Sequence, residues 1–559
     1  MTEICNLRII YPTRVEAAKS LSAVTDKVPR VNLVDDGQLM IDVGSGEGAS
    51  GTRQGAGSAA GDSQHMTQRQ LESALWAAAN ALRGPVDPGD YKAYVFPVMF
   101  FKWISDSWDY QHAQAVADFG DDLTEVIEAD YQPFAVPEGC HWSDVYGTAV
   151  NVGAKLATSL QLIQQASPNL AGVFGDVNWA NKDRLPESAL IALLNSFHSV
   201  KLDPDHVSGD MLGAAYEYLL REFAEASGKK AGEFFTPRHV VHLLVKILEP
   251  RPGDSIGDPA CGSGGMLVET VAAVREAGGD PRTLHLYGQE VNLTTAAIAK
   301  MNLYLHGLED FKIVRGDTFR EPKLLDGAAL QKFDVVIANP PFSLQNWGAE
   351  GWAKDPYGRA IYDVPSAKNG DYAWIQHMVT TMKDKTGRVG VVMPLGVLGR
   401  GGKDGAIRKY LAEKDLLEAV IGLPKNLFYS TAIPVCLLIF RNAKPEERRG
   451  KVLFIEASTC FRPGKNQNIM SEQDIEMIEA AYKRGLDTSG LGGLRLRLVE
   501  LAEIEENAFD LNFGRYIKTG ANVEADVESA LRAYREARGR LSELELAMEE
   551  KLKAAGFNA

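Results

Sequence analysis

Apolar positions follow two different patterns along the chain, and the change between them falls near residue 228. Before it, from residue 66, apolar side chains recur at helical spacing, as at Leu71, Leu75 and Leu82, with Gly and Pro between segments. After it, short unbroken apolar runs, typical of strands buried on both faces, alternate with helical stretches. The sequence therefore predicts an α-helical domain followed by an α/β domain.

The apolar runs of the α/β part predict strands that end in Gly, Pro or polar residues. They begin at Ile256 and continue with Leu286–Glu290, Lys312–Val314, Val335–Ile337, Val389–Met393, Ala419–Gly422, Val435–Phe440 and Val452–Ile455. The carboxyl ends of parallel strands share one edge of a sheet, and ligands bind at that edge. We therefore expect the groups that follow the first four strands to line one cleft.

Four regions follow from these patterns: residues 1–65, 66–227, 228–458 and 459–559. The first is an appendage that ends in a flexible Gly/Ala/Ser-rich linker, the second is the helical domain, and the third is the α/β domain. The fourth is a tail that ends in a predicted amphipathic helix, with a stripe made of Val523, Val527, Leu531, Tyr534, Leu541, Leu544 and Met548. A helix of about 35 residues would outrun a small domain, so we expect it to dock on a partner.

The segment after the fourth strand is the most informative of the chain. It consists of Asn339, Pro340, Pro341 and Phe342. Proline has no N–H and keeps the preceding residue extended, so Asn339 and Pro340 can present carbonyl acceptors to the cleft. Two acceptors suit an exocyclic amine such as N6 of adenine, and Phe342 offers a stacking face for a base flipped out of a duplex. An ordinary strand-ending turn is the alternative interpretation.

A second element, upstream, predicts a nucleotide-type cradle. A short strand ends at Asp258 and is followed by a turn that contains Gly262, Ser263, Gly264 and Gly265. Glycines let the backbone approach a ligand closely, and a helical apolar stretch follows them. The spacing departs from the dinucleotide-binding fingerprint.

The next two predicted strands end beside acidic residues. Glu290 closes the second strand, where a carboxylate can accept both hydroxyls of a ribose. Asp317 and Thr318 follow the third strand, where the carboxylate or the hydroxyl could meet an adenine edge. For Asp317 alone, ordinary loop chemistry is the simpler account.

These motifs, taken in order, resemble a known family. Asp258-Pro-Ala-Cys-Gly-Ser-Gly-Gly265 with Asn339-Pro-Pro-Phe342 is similar to the motifs of N6-adenine DNA methyltransferases that use S-adenosylmethionine. Gly232-Glu-Phe-Phe-Thr-Pro-Arg-His239 and Asp371-Tyr-Ala-Trp374 extend the resemblance to the modification (M) subunit of type I restriction-modification systems, from about Met66 to the C-terminus.

The resemblance implies a Rossmann-like, S-adenosylmethionine-dependent methyltransferase domain, preceded by an α-helical domain and followed by a helical tail. It implies cofactor contacts from Glu233, Phe234, Phe235, Thr236, Pro237 and Arg238, and from the glycine turn and Glu290. Asn339 to Phe342 would hold the target adenine. No metal site is expected.

The resemblance also implies an activity and partners. The activity is that of a site-specific, adenine-specific DNA methyltransferase acting on a flipped base, with sequence specificity supplied by a separate S subunit. The partners are double-stranded DNA, the S subunit, a second M subunit and a restriction (R) subunit. An N-methyltransferase that acts on RNA or on a protein glutamine amide, and a catalytically silent cofactor-binding scaffold, are the alternatives.

Composition excludes some other classes. The five cysteines have no CxxC spacing and none follows a proline, so neither a zinc site nor a cytosine-C5 methyltransferase nucleophile is indicated. No stretch is apolar enough to cross a bilayer, and we expect a cytoplasmic protein.

The net charge of −15 is unfavourable for holding DNA, because nonspecific affinity comes from basic residues that neutralise phosphates. We therefore expect a partner protein to supply much of the affinity for DNA. Local positive charge comes from Arg388, Arg400, Lys403, Arg408 and Lys409, which either contact phosphates or belong to a solvated surface.

One long irregular segment, residues 343–370, follows Phe342 directly and carries Trp347, Trp352, Tyr357 and Tyr362. Its length and polarity exceed those of a normal connection. We expect a mobile loop that becomes ordered over the extruded base or the adjacent strand. A surface insertion with incidental aromatic residues is the alternative.

Overall fold

A computed structural model describes residues 66–226, 236–428, 433–465, 467–485 and 494–517, and five residues beyond them. The predicted appendage, residues 1–65, lies outside the described residues. So do the residues of the predicted tail stripe, except Met548.

The first part of the described chain is helical, as predicted. Its helices are α1 (Gln68–Asn80), α2 (Tyr91–Phe119), α3 (Glu125–Tyr131), α4 (Trp142–Tyr146), α5 (Val152–Ala166), α6 (Glu187–His198) and α7 (Gly209–Ala226). Helix α1 begins at a capping box in which the Thr67 hydroxyl accepts from the Gln70 amide and the Gln70 side chain accepts from the Thr67 amide. Helix α2 is buried on nearly all sides between Val95 and Ser107: nine of these thirteen residues are apolar, and the buried Lys102 pairs with Asp106.

The α/β part carries the predicted strands and some further short ones. The strands are β1 (Ser255–Asp258), β2 (His285–Glu290), β3 (Phe311–Arg315), β4 (Leu325–Asp326), β5 (Ala329–Leu330), β6 (Val335–Ala338), β7 (Arg388–Pro394), β8 (Leu417–Gly422), β9 (Val435–Arg441), β10 (Lys451–Glu456), β11 (Arg462–Pro463), β12 (Asn468–Ile469) and β13 (Arg495–Glu500).

Within the described residues, nine of these strands form one sheet in the order β13-β10-β8-β9-β7-β6-β1-β2-β3. The strands from β7 to β3 in that order are parallel, whereas β9 runs antiparallel to both of its neighbours and β13 runs antiparallel to β10. The carboxyl ends of β1, β2, β3 and β6 therefore share one edge. The strand order reverses between β6 and β1, where open α/β sheets bind ligands.

Helices cover both faces of the sheet. They are α8 (Arg238–Leu248), α9 (Gly265–Glu276), α10 (Leu293–Leu305), α11 (Ala349–Trp352), α12 (Asp371–Thr381), α13 (Gly402–Glu413), α14 (Glu472–Arg484), α15 (Leu501–Glu506) and α16 (Phe513–Tyr516). One core holds α8, α9 and α14, and the opposite core holds α12 and α13. The α/β prediction is confirmed.

The helical part packs directly against the α/β part through α10. Ile298, Met301 and Tyr304 of this helix belong to the same core as α2 and α7. The Tyr216 hydroxyl donates to the Ile298 carbonyl at 3.1 Å, and the Lys300 ammonium donates to the Ala171 carbonyl at 2.6 Å. The described residues of the two parts accordingly belong to one compact unit.

Residues beyond the predicted boundary at 458 take part in the same sheet. Strand β13 pairs with β10 from Arg495 to Glu500, and the Phe513 and Tyr516 rings lie 6.1 and 4.5 Å from the Phe454 ring. The structure thus joins residues 494–517 to the α/β core. No helix in the part of the chain that the structure describes is both long and apolar enough to span a membrane.

Candidate active site at the carboxyl edge of the sheet

The Asn339–Phe342 segment begins where β6 leaves the sheet. All residues of β6 are buried between β1 and β7, and Pro340 and Pro341 then prevent further pairing. The Phe342 ring is half-buried and meets the Phe428 ring edge-on, with 6.2 Å between the centroids. The strand thus delivers Asn339 to the cleft on a rigid tip.

The Asn339 amide has one partner and one open position. Its Nδ2 donates to the Thr236 hydroxyl at 2.9 Å. Its Oδ1 is buried and has no hydrogen-bond partner among the described residues. A buried carbonyl oxygen without a donor is costly, so this atom is suited to accept an N–H group from a ligand.

A buried carboxylate fixes the segment from behind. The Ser343 amide, directly after Phe342, donates to Asp371 Oδ1 at 2.7 Å, and Arg400 donates to Asp371 Oδ2 at 2.8 Å. Asp371 is fully buried, and Arg400 also pairs with Asp404 at 3.0 Å. Sequence reasoning missed this role, although an Asp at the first position of a helix that follows the tip was a signal that could have found it.

The glycine turn crosses from β1 toward the end of β2. Gly262 and Gly264 have positive φ angles of 53° and 79°, which favour glycine. The Cys261 amide donates to the Gln289 carbonyl at 3.1 Å, and the Asn302 side chain donates to the Ser263 carbonyl at 3.0 Å. The turn is therefore held by strand β2 on one side and helix α10 on the other.

Glu290 is tied to this turn. Its Oε2 accepts from the Gly262 amide at 3.1 Å and its Oε1 accepts from the Asn292 amide at 2.8 Å. Burial raises the pKa of this carboxyl group, while the two amides act in the opposite direction. Each oxygen keeps acceptor capacity for a hydroxyl group, so the predicted ribose anchor is oriented by the backbone.

Asp258 lies deeper in the same region. Its side chain is fully buried and accepts from the Ala260 amide at 3.0 Å. Burial, reinforced by the negative charge of Glu290, raises the Asp258 pKa to about 8. This carboxyl group therefore holds its proton at neutral pH and braces the turn as a neutral acid.

Asp317 and Thr318 are used by the loop itself. Asp317 Oδ1 accepts from the amides of Phe319 and Arg320, and its Oδ2 pairs with the Arg320 guanidinium at 2.7 Å. The Thr318 hydroxyl is buried and donates to the Pro259 carbonyl at 2.6 Å. Loop chemistry accounts for both side chains, and a cofactor contact from Asp317 stays a prediction.

The two predicted sets of residues meet in one cleft. Its lining includes Thr236, Asp258, Gly262, Ser263, Gly265 and Asn339. Glu290 adjoins this cleft through its hydrogen bond with the Gly262 amide. Pro237 caps α8, and Arg238 is exposed with its Nε 3.5 Å from the Glu269 carboxylate. Glu233, Phe234 and Phe235 lie outside the described residues.

Two of the four aromatic residues in the segment 343–370 are buried in the protein and are not available to contact DNA. Trp347 and Trp352 are buried, with their rings 5.3 and 5.5 Å from the Phe319 ring. Arg359, also buried, donates to the carbonyls of Thr318 and Phe319 at 2.7 and 2.8 Å. The segment is thus pinned to the end of β3, and of its four aromatics only Tyr362 is exposed.

The basic residues proposed for phosphate contact are mostly engaged inside the protein. Arg388 is buried and pairs with Asp254, and Arg408 is buried and donates to the carbonyls of Phe509, Val397 and Arg400. Both interpretations of these two arginines, as phosphate contacts or as solvated residues, are therefore wrong. Arg388 pairs with a carboxylate 134 positions away, and Arg408 donates to one carbonyl 101 positions away and to two within 11 positions.

Comparison with known proteins gives two family matches. A family model described as "N-6 DNA Methylase" matches residues 207–525, and one described as "HsdM N-terminal domain" matches residues 71–197. Together they cover the helical part and the α/β part in the order seen in the fold.

Individual relatives agree. The chain is 33% identical to the type I restriction enzyme MjaVII methylase subunit of Methanocaldococcus jannaschii, across 81% of this chain and 78% of that protein. It is 30% identical to the HindI methylase subunit of Haemophilus influenzae, across 76% of this chain and all of that protein. A crystal structure of a type I restriction-modification methyltransferase subunit from Streptococcus thermophilus matches with a TM-score of 0.70 and 30% identity, across 81% of this chain and all of that one.

Proposed function

The chain belongs to the N-6 DNA methylase family, as the methylase subunit of a type I restriction-modification system, and we propose that the carboxyl-edge cleft is its active site. The reaction is methylation of adenine N6 in DNA. Under this proposal, the Asn339–Phe342 segment holds the target base, and the glycine turn with Glu290 holds S-adenosylmethionine.

The observation that carries the proposal is the state of the Asn339 amide. Thr236 accepts from its Nδ2, which leaves the buried Oδ1 as an open acceptor in the cleft. The N6 amine of adenine carries two N–H groups and no strong acceptor, so it matches this atom. Accepting one N–H at Oδ1 and the other at the Pro340 carbonyl stabilises positive charge as it develops on nitrogen.

Phe342 and the proline pair complete the target side. The half-buried Phe342 ring offers a face for the flipped base, and base stacking on an aromatic ring is worth about 1–3 kcal/mol. Pro340 and Pro341 keep the backbone rigid, and Asp371 holds the Ser343 amide behind it. We regard Asp371 as a positioning residue that acts through the tip.

The cofactor side fits the same proposal. S-adenosylmethionine, when bound, supplies the methyl group. Glu290 offers both oxygens to the ribose hydroxyls, and residues of the glycine turn line the cleft beside it. A Cβ atom at Gly288 would lie 2.8 Å from the Cys261 sulfur, so glycine at this position lets the turn lie close over β2. Holding donor and acceptor in line could contribute roughly 7–11 kcal/mol.

Charge supports a partner in DNA binding. Residues 66–226 carry 22 acidic and 9 basic side chains, a formal net charge of −13, which would repel phosphates. We propose that the S subunit supplies sequence recognition and most phosphate contacts, with a second M subunit and an R subunit as further components. The tail beyond residue 517 is the segment proposed to dock on the S subunit.

The test is a methylation assay on duplex DNA with the full chain alone and together with its S subunit, read as N6-methyladenine by mass spectrometry. We expect methylation with the S subunit, and its loss in Asn339→Ala while S-adenosylmethionine still binds. Methylation of RNA or of a protein glutamine amide in place of DNA would support the first alternative. Cofactor binding without any methylation would support the silent scaffold.

A further inference from the structure

A second cavity, of about 250 Å³, lies between α2 and the turn after α10. Four aromatic residues line it: Trp103, Trp108, Phe134 and Tyr304. The Tyr304 and Phe134 rings meet edge-on with 5.2 Å between their centroids, and the Trp103 and Phe134 centroids lie 5.9 Å apart. Leu212 and Ile104 add aliphatic surface. Such walls suit a ligand that has both an apolar part and a group attracted to aromatic faces.

This cavity is separate from the active site. Gly307 and Glu309, which line it, precede β3 and so lie at the amino edge of the sheet. Asn339 and Glu290 follow or end their strands at the carboxyl edge. The two sites share no lining residue among those that the structure describes.

Two polar atoms of the cavity wall have no partner among the described residues. They are the hydroxyl of Ser107, whose side chain is more than nine-tenths buried, and Gln132 Oε1. The Gln132 Nε2 donates to the Trp108 carbonyl at 3.3 Å, so the nitrogen of this amide is engaged and its oxygen is not. Both open atoms can accept an N–H group.

The charge around the cavity is negative. Residues 102–155, which supply most of the aromatic wall, contain ten acidic residues and two lysines, and one of these, Lys102, is buried and paired with Asp106. Glu309 is exposed at the cavity. Lys201 adjoins the lining residue Leu202, but Asp203 and Asp205 follow it directly. The electrostatic balance therefore favours a cation.

We propose that this cavity binds an alkyl cation with N–H donors, which is the chemistry of an arginine or lysine side chain and of a polyamine. The aromatic faces attract the charge, Ser107 Oγ and Gln132 Oε1 accept its N–H groups, and Leu212 and Ile104 contact the aliphatic stem. Glu309 provides the counter-charge at the cavity. The site goes beyond methyl transfer and does not depend on it.

The test uses the full chain and a pair of probes that differ only in charge. Nα-acetyl-arginine methylamide and its neutral isostere, Nα-acetyl-citrulline methylamide, are titrated at constant ionic strength, with tryptophan fluorescence and calorimetry as readouts. We expect saturable binding of the arginine probe and at least about tenfold weaker binding of the citrulline probe. Equal affinities would overturn the proposal, because they would indicate an apolar cavity without cation preference.

Variants localise the site. Glu309→Gln changes an exposed residue, so the fold should be retained, and we expect it to weaken the arginine probe several-fold without changing the citrulline probe. Glu138→Gln, an exposed acid of the same acidic stretch outside the cavity lining, is the matched control. Equal weakening by both variants would show general electrostatics and would overturn the proposal. Trp108→Phe identifies the fluorescence signal while keeping an aromatic wall.

Spermidine distinguishes the two sources of the cation. Stronger binding of spermidine than of the arginine probe would indicate a free polyamine, and the reverse would indicate a side chain of a partner protein. Absence of saturable binding for both at millimolar concentrations would overturn the site. DNA methylation by Glu309→Gln should stay at the wild-type level, so failure of this proposal is distinguishable from failure of the proposed active site.

Discussion

The half of the cleft proposed for the cofactor and the half proposed for the target base differ in how their polar groups are satisfied. On the cofactor half, Glu290 and Asp258 accept backbone amides of the turn that they support. On the target half, Asn339 keeps a buried oxygen without a partner. The proposed cofactor half is therefore organised before its ligand arrives, whereas the proposed target half has an acceptor that no group among the described residues satisfies. Substitutions in the two halves should consequently affect different kinetic constants.

The largest expected effect is that of Asn339→Ala. It removes the open acceptor, and loss of one such transition-state contact typically lowers kcat by about 100- to 1,000-fold. Cofactor affinity, measured by calorimetry, should stay near wild type. Asn80→Ala is a matched control, since Asn80 is also half-buried and donates through Nδ2, to the Trp76 carbonyl. If Asn339→Ala also lost cofactor binding, the claim that the two halves control different kinetic constants would be wrong.

Glu290→Ala should produce the opposite result. It removes both acceptors for the ribose, and hydrogen bonds to charged groups contribute about 1.5–3 kcal/mol, so cofactor affinity should fall by about 10- to 100-fold. At saturating cofactor, kcat should change little. Glu290→Gln keeps one oxygen, so its cofactor affinity should lie between that of the wild type and that of Glu290→Ala. A large loss of kcat at saturating cofactor would mean that Glu290 also positions the residues proposed to hold the target base.

Asp371→Asn tests whether the tip needs its buried support. The amide retains one oxygen, for which Arg400 and the Ser343 amide then compete, so the tip should shift and kcat should fall by about tenfold. Cofactor affinity should be unchanged. Asp404→Asn is the control, because Asp404 also pairs with Arg400 and is buried but has no bond to Ser343. Equal losses in both variants would assign the effect to Arg400 alone.

Thr236→Val removes the only bond of the Asn339 amide to the described chain. A neutral hydrogen bond is worth about 0.5–1.5 kcal/mol, so kcat should fall by about two- to tenfold as the amide loses its fixed orientation. Thr236→Ser keeps the hydroxyl and should restore most of the activity. If the Ser variant is impaired as much as the Val variant, the methyl group of Thr236 matters as much as its hydroxyl. A change confined to cofactor affinity would place Thr236 wholly on the cofactor half.

Short contiguous motifs account for what the sequence could predict. The Asn339–Phe342 tip, the glycine turn and Glu290 each combine a local backbone signal with a candidate functional side chain, and strand β6 before the tip is an unbroken apolar run. Parallel pairing then brings them to one edge. Both the α/β architecture and the meeting of the two motif sets could be inferred in this way.

Partners distant in the sequence could not be predicted from it. The Thr236–Asn339 bond spans 103 positions, and Arg388 pairs with a carboxylate 134 positions away. Composition also does not show burial, so Trp347 and Trp352 were expected to be available to DNA although they pack on Phe319. Strand β13 was missed although its residues, Arg495–Glu500, alternate between arginine and leucine at the start, which is the pattern of a half-buried edge strand.

The smallest effect should come from Asp258→Asn, read as pH dependence of stability. The folded carboxyl group keeps its proton up to about pH 8, whereas an ordinary one releases it near 3.8, so the folded state binds more protons in between. Stability must therefore fall as pH rises through this window, and the raised pKa of Glu290 acts with the same sign.

His377, which lines a small cavity with Asp258, has a pKa lowered to about 3 by burial. It changes stability in the opposite direction, but only below its ordinary pKa of 6.5. Between pH 6.5 and 8, His242 also contributes, because its hydrogen bond with Glu269 raises its pKa and stability falls in the same direction. The difference between the two proteins in denaturant unfolding therefore isolates Asp258: wild type should lose stability, and Asp258→Asn should lose less. Parallel curves for the two proteins would show that Asp258 is ionised in the folded state and that the cofactor half is less tightly organised than its hydrogen bonds indicate.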